Sequence, residues 1–202
     1  MKKSLFLTLS FAGVAWIVKV IEIIYGISFS SYGIHPGKFI GLSGILFAPF
    51  LHGDFLHLFS NTAPLVLLGT FMLYLYPSSS KVVLPAVYIL GGLGVWIFAR
   101  PSVHIGASGL IYGLFGFILF SGIIRRDPAP MALSLIAVFL YGGMVWGVLP
   151  VQNDVSFESH LSSAVIGAFL AFPMRKKDPP PRSDFDDESE EIYDSEWMNE
   201  DR

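Results

Sequence analysis

A serine and a histidine stand at the starts of two separate hydrophobic segments, where together they could perform nucleophilic chemistry. Ser108 lies between Gly106 and Gly109, and His160 follows 52 residues later. A serine hydroxyl becomes a strong nucleophile only when a neighbouring base accepts its proton, and histidine titrates in the right range to do so. The pair predicts covalent catalysis by Ser108 with His160 as the general base, provided that the fold brings the two together.

Two further polar residues could stabilise the negative charge that forms when such a serine attacks a carbonyl. His57 and Asn61 are four residues apart in a third hydrophobic segment, so a helix would place them on one face. An imidazole N–H, an amide N–H and the free backbone N–H groups at a helix start are suitable donors to an oxyanion. We therefore expect His57 and Asn61 to act beside the Ser108 backbone.

Small residues and one aromatic residue surround the predicted nucleophile. Gly106 and Gly109 allow the backbone to approach other groups closely. Tyr112 follows Ser108 by four residues, so its ring should support the base or line the substrate site. Close packing of the serine and histidine helices is predicted from small residues at four-residue spacing, which are Gly109 and Gly113 on one helix and Ser163 and Gly167 on the other.

Other histidines compete for a role. His104 precedes Ser108 by four residues and is an alternative base, but a base on a rigid helix is held more firmly than one in a loop, which favours His160. His52 and Asp54 precede the segment that carries His57, where loop structure or solvation at the membrane boundary is expected.

The elements that must position these residues are hydrophobic segments of membrane-spanning length. The chain has 202 residues, of which 53% are hydrophobic and 14% charged, and its mean hydropathy is +0.60. Six segments approach the length that a hydrocarbon core of about 30 Å requires. They are residues 5–27, 50–76, 82–99, 105–124, 131–149 and 157–174. The composition predicts an all-α polytopic membrane protein, and the absence of cysteine excludes disulfides and thiolate metal sites.

Basic residues predict the orientation of the six helices. If the chain crosses six times, most Lys and Arg residues fall on one side, and only Lys38 and Arg100 lie in the opposite loops. The positive-inside rule then puts both termini in the cytoplasm. Ser108, His160, His57 and Asn61 consequently converge near the outer face of the membrane.

The charge distribution divides the chain into two regions. Residues 1–176 are predicted to form the six-helix membrane domain, and residues 177–202 a disordered acidic cytoplasmic tail. Residues 1–174 carry 8 basic and 5 acidic groups, whereas residues 175–202 carry 5 basic and 11 acidic groups. The tail makes the net charge of the whole chain negative, so that net charge says nothing about the membrane domain.

Three motifs resemble one family of membrane enzymes. The strings His52-x4-His57-x3-Asn61, Gly106-Ala107-Ser108-Gly109-Leu110-Ile111-Tyr112-Gly113 and Glu158-Ser159-His160-Leu161 resemble the second, fourth and sixth helices of rhomboid intramembrane serine proteases. The similarity extends over about residues 45–174. Ser163 stands where this family usually has a glycine three residues after the base.

The resemblance implies a fold, an activity and a set of roles. It implies a six-helix rhomboid-like bundle with a Ser108–His160 dyad, oxyanion stabilisation by His57 and Asn61, and Tyr112 packed beside the dyad. The expected substrates are single-pass membrane proteins, cleaved near the outer face. No cofactor, metal or nucleic-acid partner is expected, the lipid bilayer is the surrounding partner, and the sequence specifies no oligomeric state. The simple layout suits a bacterial plasma membrane.

Two other functions fit parts of the pattern. One is a catalytically silent rhomboid-like protein that binds membrane clients, although such proteins usually lack the serine or the histidine. The other is a small transporter, but polar residues would then be spread through the whole membrane depth.

Overall fold

The structure is a computed structural model that describes residues 1–140, 147–150 and 156–179. The regular secondary structure in these ranges is helical. Within these ranges, the one β-bridge joins Ile34 to His104. The described residues contain seven α-helices, which are α1 Lys2–Tyr25, α2 Gly44–Phe47, α3 Phe55–Leu75, α4 Ser80–Phe98, α5 Ser108–Arg125, α6 Pro128–Leu140 and α7 Phe157–Ala171.

Among the described residues, four helices are long and apolar enough to cross a membrane, which confirms the prediction of an all-α, multi-pass membrane protein. They are α1, α3, α4 and α5, with 24, 21, 19 and 18 residues. Helix α6 has 13 residues, of which residues 131–140 fall within the predicted fifth span; residues 141–146 of that span lie outside the described residues. Helix α7 covers 15 residues of the sixth. Residues 180–202 of the predicted tail also lie outside them.

Local chemistry explains why two helices begin later than the hydrophobic pattern suggests. Helix α3 begins at Phe55 rather than at residue 50, because the Asp54 carboxylate accepts a hydrogen bond from the backbone N–H of His57 at 2.7 Å and caps the helix. Helix α5 begins at Ser108 rather than at residue 105, because Gly106 has a φ of +108° and turns the chain there.

Helix α5 forms the centre of the bundle and packs most extensively against α7. A side chain at Gly167 would collide with the carbonyl of Gly113, so the two backbones touch at this point. Val87 of α4 occupies the other side of Gly113. Gly109 faces Ser159 and Ser163, so the predicted small residues do lie where the serine and histidine helices meet.

The loop between α1 and α3 is attached to α4 by hydrogen bonds. The Tyr88 hydroxyl donates to the carbonyl of Leu46, and the Trp96 indole donates to that of Lys38 at 2.8 Å. The backbone N–H of Gly37 in turn donates to the carbonyl of Trp96. This loop is therefore fixed over the end of the bundle where α5 begins, which we call the Ser108 end; the opposite end is the Arg125 end.

Candidate active site

Ser108 and His160 meet at the Ser108 end. The Ser108 Oγ atom lies 2.7 Å from Nε2 of His160, a hydrogen-bonding distance between a hydroxyl and an imidazole. Ser108 is the first residue of α5 and is half-buried, whereas His160 lies in the first turn of α7 and is 6% exposed. The arrangement allows His160 to accept the hydroxyl proton as the serine attacks an electrophile.

A backbone carbonyl orients the histidine. Nδ1 of His160 lies 2.8 Å from the carbonyl oxygen of Gly147, which can only accept, so Nδ1 carries the proton. Nε2 is then left with a lone pair directed at Ser108. Sequence reasoning missed Gly147 because every residue has a carbonyl, and no side-chain signal distinguishes this one.

Tyr112 packs flat against the base. Its ring stacks on that of His160 with the centroids 4.0 Å apart and an angle of 9° between the planes. A side chain at Gly147 would collide with the Tyr112 hydroxyl, so the backbone of Gly147 lies against Tyr112 as well as against His160. The stacking and the Gly147 carbonyl together leave the imidazole a single orientation.

Gly106 brings the His57 ring close to the nucleophile. A Cβ atom added at Gly106 would lie 2.8 Å from His57 Nε2 and 3.9 Å from Ser108 Oγ. The His57 imidazole and the Ser108 hydroxyl therefore border the same small space, and only glycine leaves that space open. This is the space in which an oxyanion beside Ser108 would need a donor.

Asn61 lies one helical turn deeper on the same face of α3. It is 5% exposed, and its Nδ2 atom donates to the carbonyl of His57 at 2.8 Å. An amide NH₂ group has two hydrogens, so one remains after this bond is made. The predicted pair on one helical face is therefore present, with Asn61 bonded to the backbone of His57.

His52 has a closer relation to the site than its loop position suggests. Its ring lies 4.9 Å from that of His57, and its Nε2 atom accepts a hydrogen bond from the backbone N–H of Ala107 at 3.4 Å. Burial, and then the nearby His57, lower the pKa of His52 to about 4. The residue thus remains neutral at physiological pH and supports the chain immediately before Ser108.

Lys19 and Glu22 of α1 hold the loop that precedes α3. The Lys19 ammonium contacts the Glu22 carboxylate at 2.9 Å and donates to the carbonyls of His52 and Gly53 at 3.0 and 2.8 Å. Glu22 is 4% exposed and also accepts from the backbone N–H of Phe29 at 2.6 Å. Their i,i+3 spacing in the sequence indicates the ion pair but not these partners in the loop.

His104 is not directed at Ser108, so it does not replace His160 as the base. Its Nδ1 atom lies 2.6 Å from the Ser156 hydroxyl, and its Nε2 atom lies 3.1 Å from the carbonyl of Arg100. Both ring nitrogens are therefore engaged elsewhere. Among the described residues, no three His, Asp or Glu side chains are grouped as metal ligands.

The apolar helices define an integral, multi-pass membrane protein, and the Ser108–His160 pair gives it the geometry of a nucleophile with its base. The chain belongs to the rhomboid family: the Rhomboid domain profile matches residues 41–177, which confirms the resemblance of the three motifs.

Relatives include an uncharacterized protein of Mycobacterium tuberculosis, 38% identical over 181 residues that cover 83% of this chain and 75% of the relative. A Mycobacterium leprae protein, also uncharacterized, is 35% identical over 182 residues, which cover 83% of this chain and 72% of that protein. RHOMBOID-like protein 5 of Arabidopsis thaliana is 29% identical over 134 residues, 61% of this chain and 41% of the plant protein.

Proposed function

We propose that this rhomboid protein is an intramembrane serine endopeptidase that cleaves single-pass membrane proteins with a Ser108–His160 dyad. The observation that carries the proposal is the 2.7 Å contact between Ser108 Oγ and His160 Nε2, with Nδ1 held by the Gly147 carbonyl. Family membership supports the same class of activity, since a Bacillus subtilis relative, YdcA, 28% identical over 126 residues, carries the name of a candidate rhomboid protease.

The proposed reaction proceeds through an acyl-enzyme. Ser108 Oγ attacks the scissile carbonyl while His160 Nε2 accepts its proton, and His57, Asn61 and the Ser108 backbone N–H stabilise the oxyanion. His160 then donates that proton to the leaving amine as the C–N bond breaks. A water molecule, deprotonated by His160, hydrolyses the ester and restores Ser108.

The proposal includes a topology. Residues 1–176 form a six-helix domain with both termini in the cytoplasm of a bacterium, and residues 177–202 form a cytoplasmic acidic tail. The opposite ends of α5 support this orientation, because Ser108 begins the helix whereas Arg125 ends it and Arg126 follows. The cut in a substrate would then lie near the outer face of the plasma membrane.

The test is labelling of the purified protein in detergent or liposomes with a fluorophosphonate, which reacts with activated serines. We expect wild type to be labelled, and Ser108→Ala and His160→Ala to be unlabelled. Ser121→Ala is the matched control, because Ser121 is a fully buried serine on the same helix and should not affect labelling.

A folded wild-type protein that takes up no label would contradict the protease proposal and leave client binding without cleavage as the function. Labelling that persists in His160→Ala would show that the serine is activated by another group. For the topology, the mass of fragments released from a single-pass substrate in liposomes locates the cut, and a cut at the cytoplasmic face would contradict the orientation.

A further inference from the structure

His104 joins three separate segments of the chain at the Ser108 end. It is 4% exposed, and its backbone N–H and C=O pair with those of Ile34 in the α1–α3 loop at 3.0 and 2.9 Å. Its ring contacts the carbonyl of Arg100, just after α4, and the hydroxyl of Ser156, just before α7. A histidine so completely bonded is an element of the site's framework.

The hydrogen bonds indicate which tautomer the neutral His104 ring adopts. The Arg100 carbonyl only accepts, so Nε2 carries the hydrogen and Nδ1 is the acceptor for the Ser156 O–H. The Ser156 oxygen also accepts from the backbone N–H of Ser159. A continuous chain of donors and acceptors therefore runs from the first turn of α7 to the carbonyl of Arg100.

This chain of bonds reaches both members of the dyad. Ser156 is the N-cap of α7, and its carbonyl accepts from the backbone N–H of His160 at 3.3 Å. On the other side, only residues 105–107 separate His104 from Ser108. The His104–Ser156 bond thus directly links the segment leading to the nucleophile with the helix cap leading to the base.

We propose that His104 is a positioning residue that sets the distance between Ser108 and His160 through its bond to Ser156. The inference rests on the proposed protease function. It assigns no proton transfer to His104, because both ring nitrogens face away from Ser108. A misplacement of reacting groups by about 1 Å can cost about 100-fold in rate, so the loss of this bond should lower reactivity in a protein that still folds.

Two substitutions separate the two ring contacts. In His104→Asn, the side-chain oxygen lies near the position of Nδ1 and can still accept from Ser156; in His104→Gln, the amide nitrogen lies near that of Nε2 and can still donate to Arg100. The measurement is the fluorophosphonate labelling rate of the full-length protein against probe concentration, normalised to the folded fraction from thermal unfolding.

We expect the maximal labelling rate to fall about 10- to 100-fold in His104→Gln and Ser156→Ala, with little change in the half-saturating probe concentration. His104→Asn should retain most of the rate, and the double variant His104→Gln/Ser156→Ala should be no slower than either single one. A solely structural role would instead lower the folded fraction and leave the normalised rate unchanged.

His35→Ala is the matched control, since this loop histidine bonds only the carbonyl of Ser31 among the contacts described for its ring.

Ser156→Ala removes one oxygen atom and should fold even if the His104 variants do not. Wild-type labelling rates in Ser156→Ala, or losses that multiply in the double variant, would overturn the positioning role while leaving the protease proposal intact. An unlabelled wild type would overturn both, because no dyad would then need positioning.

Discussion

The two ends of the bundle contain similar residue types in different arrangements. At the Arg125 end, the Arg125 guanidinium donates to the carbonyls of Met174 and Asp178, and the Asp178 carboxylate accepts from the backbone N–H groups of Ser78 and Ser79. At the Ser108 end, a serine hydroxyl bonds a histidine ring, and all five histidines of the chain lie at this end or in the α1–α3 loop fixed over it.

The difference shows that the partner, rather than the residue type, decides what a polar group does in this bundle. Side chains at the Arg125 end close the termini of helices by bonding backbone groups that would otherwise lack partners. Ser121, at this end of α5, is as well shielded as any residue of the core, but among the described residues no histidine is bonded to its hydroxyl. Ser108, at the other end of the same helix, has one.

Apart from the loss of Ser108 or His160 themselves, the largest effect should come from Gly106→Ala. A methyl group there would collide with the His57 ring, and the φ of +108° is unfavourable for alanine. Displacing both the proposed oxyanion donor, His57, and the proposed nucleophile, Ser108, should slow substrate cleavage more than about 1,000-fold. Gly13→Ala is the control, because open space surrounds Gly13 on α1 and its cleavage rate should match wild type.

Asn61→Ala should lower the cleavage rate about 100- to 1,000-fold, the usual cost of losing one oxyanion donor. The matched control is Ser60→Ala, because the Ser60 hydroxyl and the Asn61 amide both donate to the carbonyl of His57. Both variants lose that bond, but only Asn61 has the proposed catalytic role. Equal rates in the two variants would remove Asn61 from the oxyanion site.

Acid should weaken the Ser108 end through His52. Its pKa is about 4 in the folded protein against 6.5 in the unfolded chain, so the unfolded chain binds a proton first as the pH falls. The free energy of unfolding should have its full value above pH 6.5 and fall by up to about 3 kcal/mol between pH 6.5 and 4. Thermal unfolding in detergent across this range measures the change, and His52→Gln should make the curve less steep. An unchanged slope in His52→Gln would assign the effect to another group.

Asp178→Ala should have the smallest effect, at the Arg125 end alone. Burial would raise the pKa of Asp178, but hydrogen bonds from Ser78 and Ser79 outweigh it and the pKa lies below its usual range. The carboxylate therefore stabilises the fold above its unfolded pKa, and this contribution is lost as the pH falls through the folded pKa.

Removing Asp178 should lower the stability by about 1–2 kcal/mol at neutral pH, because two hydrogen bonds to a partly exposed charge are lost. Unfolding temperature is the readout. The normalised labelling rate of Ser108 should stay at the wild-type value, and a fall in it would show that the two ends are coupled.

Much of the helical layout and the site followed from the sequence because both depend on spacing. The four-residue interval between His57 and Asn61 and the small residues Gly109, Gly113 and Gly167 describe which faces meet. The lengths of the hydrophobic segments predicted the first residues of the helices less accurately. There the Asp54 cap and the Gly106 turn, rather than hydropathy, end the loops.

What the sequence could not predict depends on backbone groups brought together by the fold. Such contacts include that of the Gly147 carbonyl with His160, those of two loop carbonyls with Lys19, and that of His52 with Ala107. Each joins residues from different elements of the fold. Loop residues such as His104 and Ser156 carry no periodic pattern, so their pairing was accessible only from the structure.

The use of a peptide carbonyl to orient His160 has an electrical consequence. A carboxylate in that position would place a full negative charge within the protein, and removing such a charge from water costs several kcal/mol before any partner compensates for it. With Gly147 in this role, the resting pair carries no formal charge. In the proposed reaction, imidazolium and oxyanion would form together a few ångströms apart, so the resting site would need no permanent counter-ion.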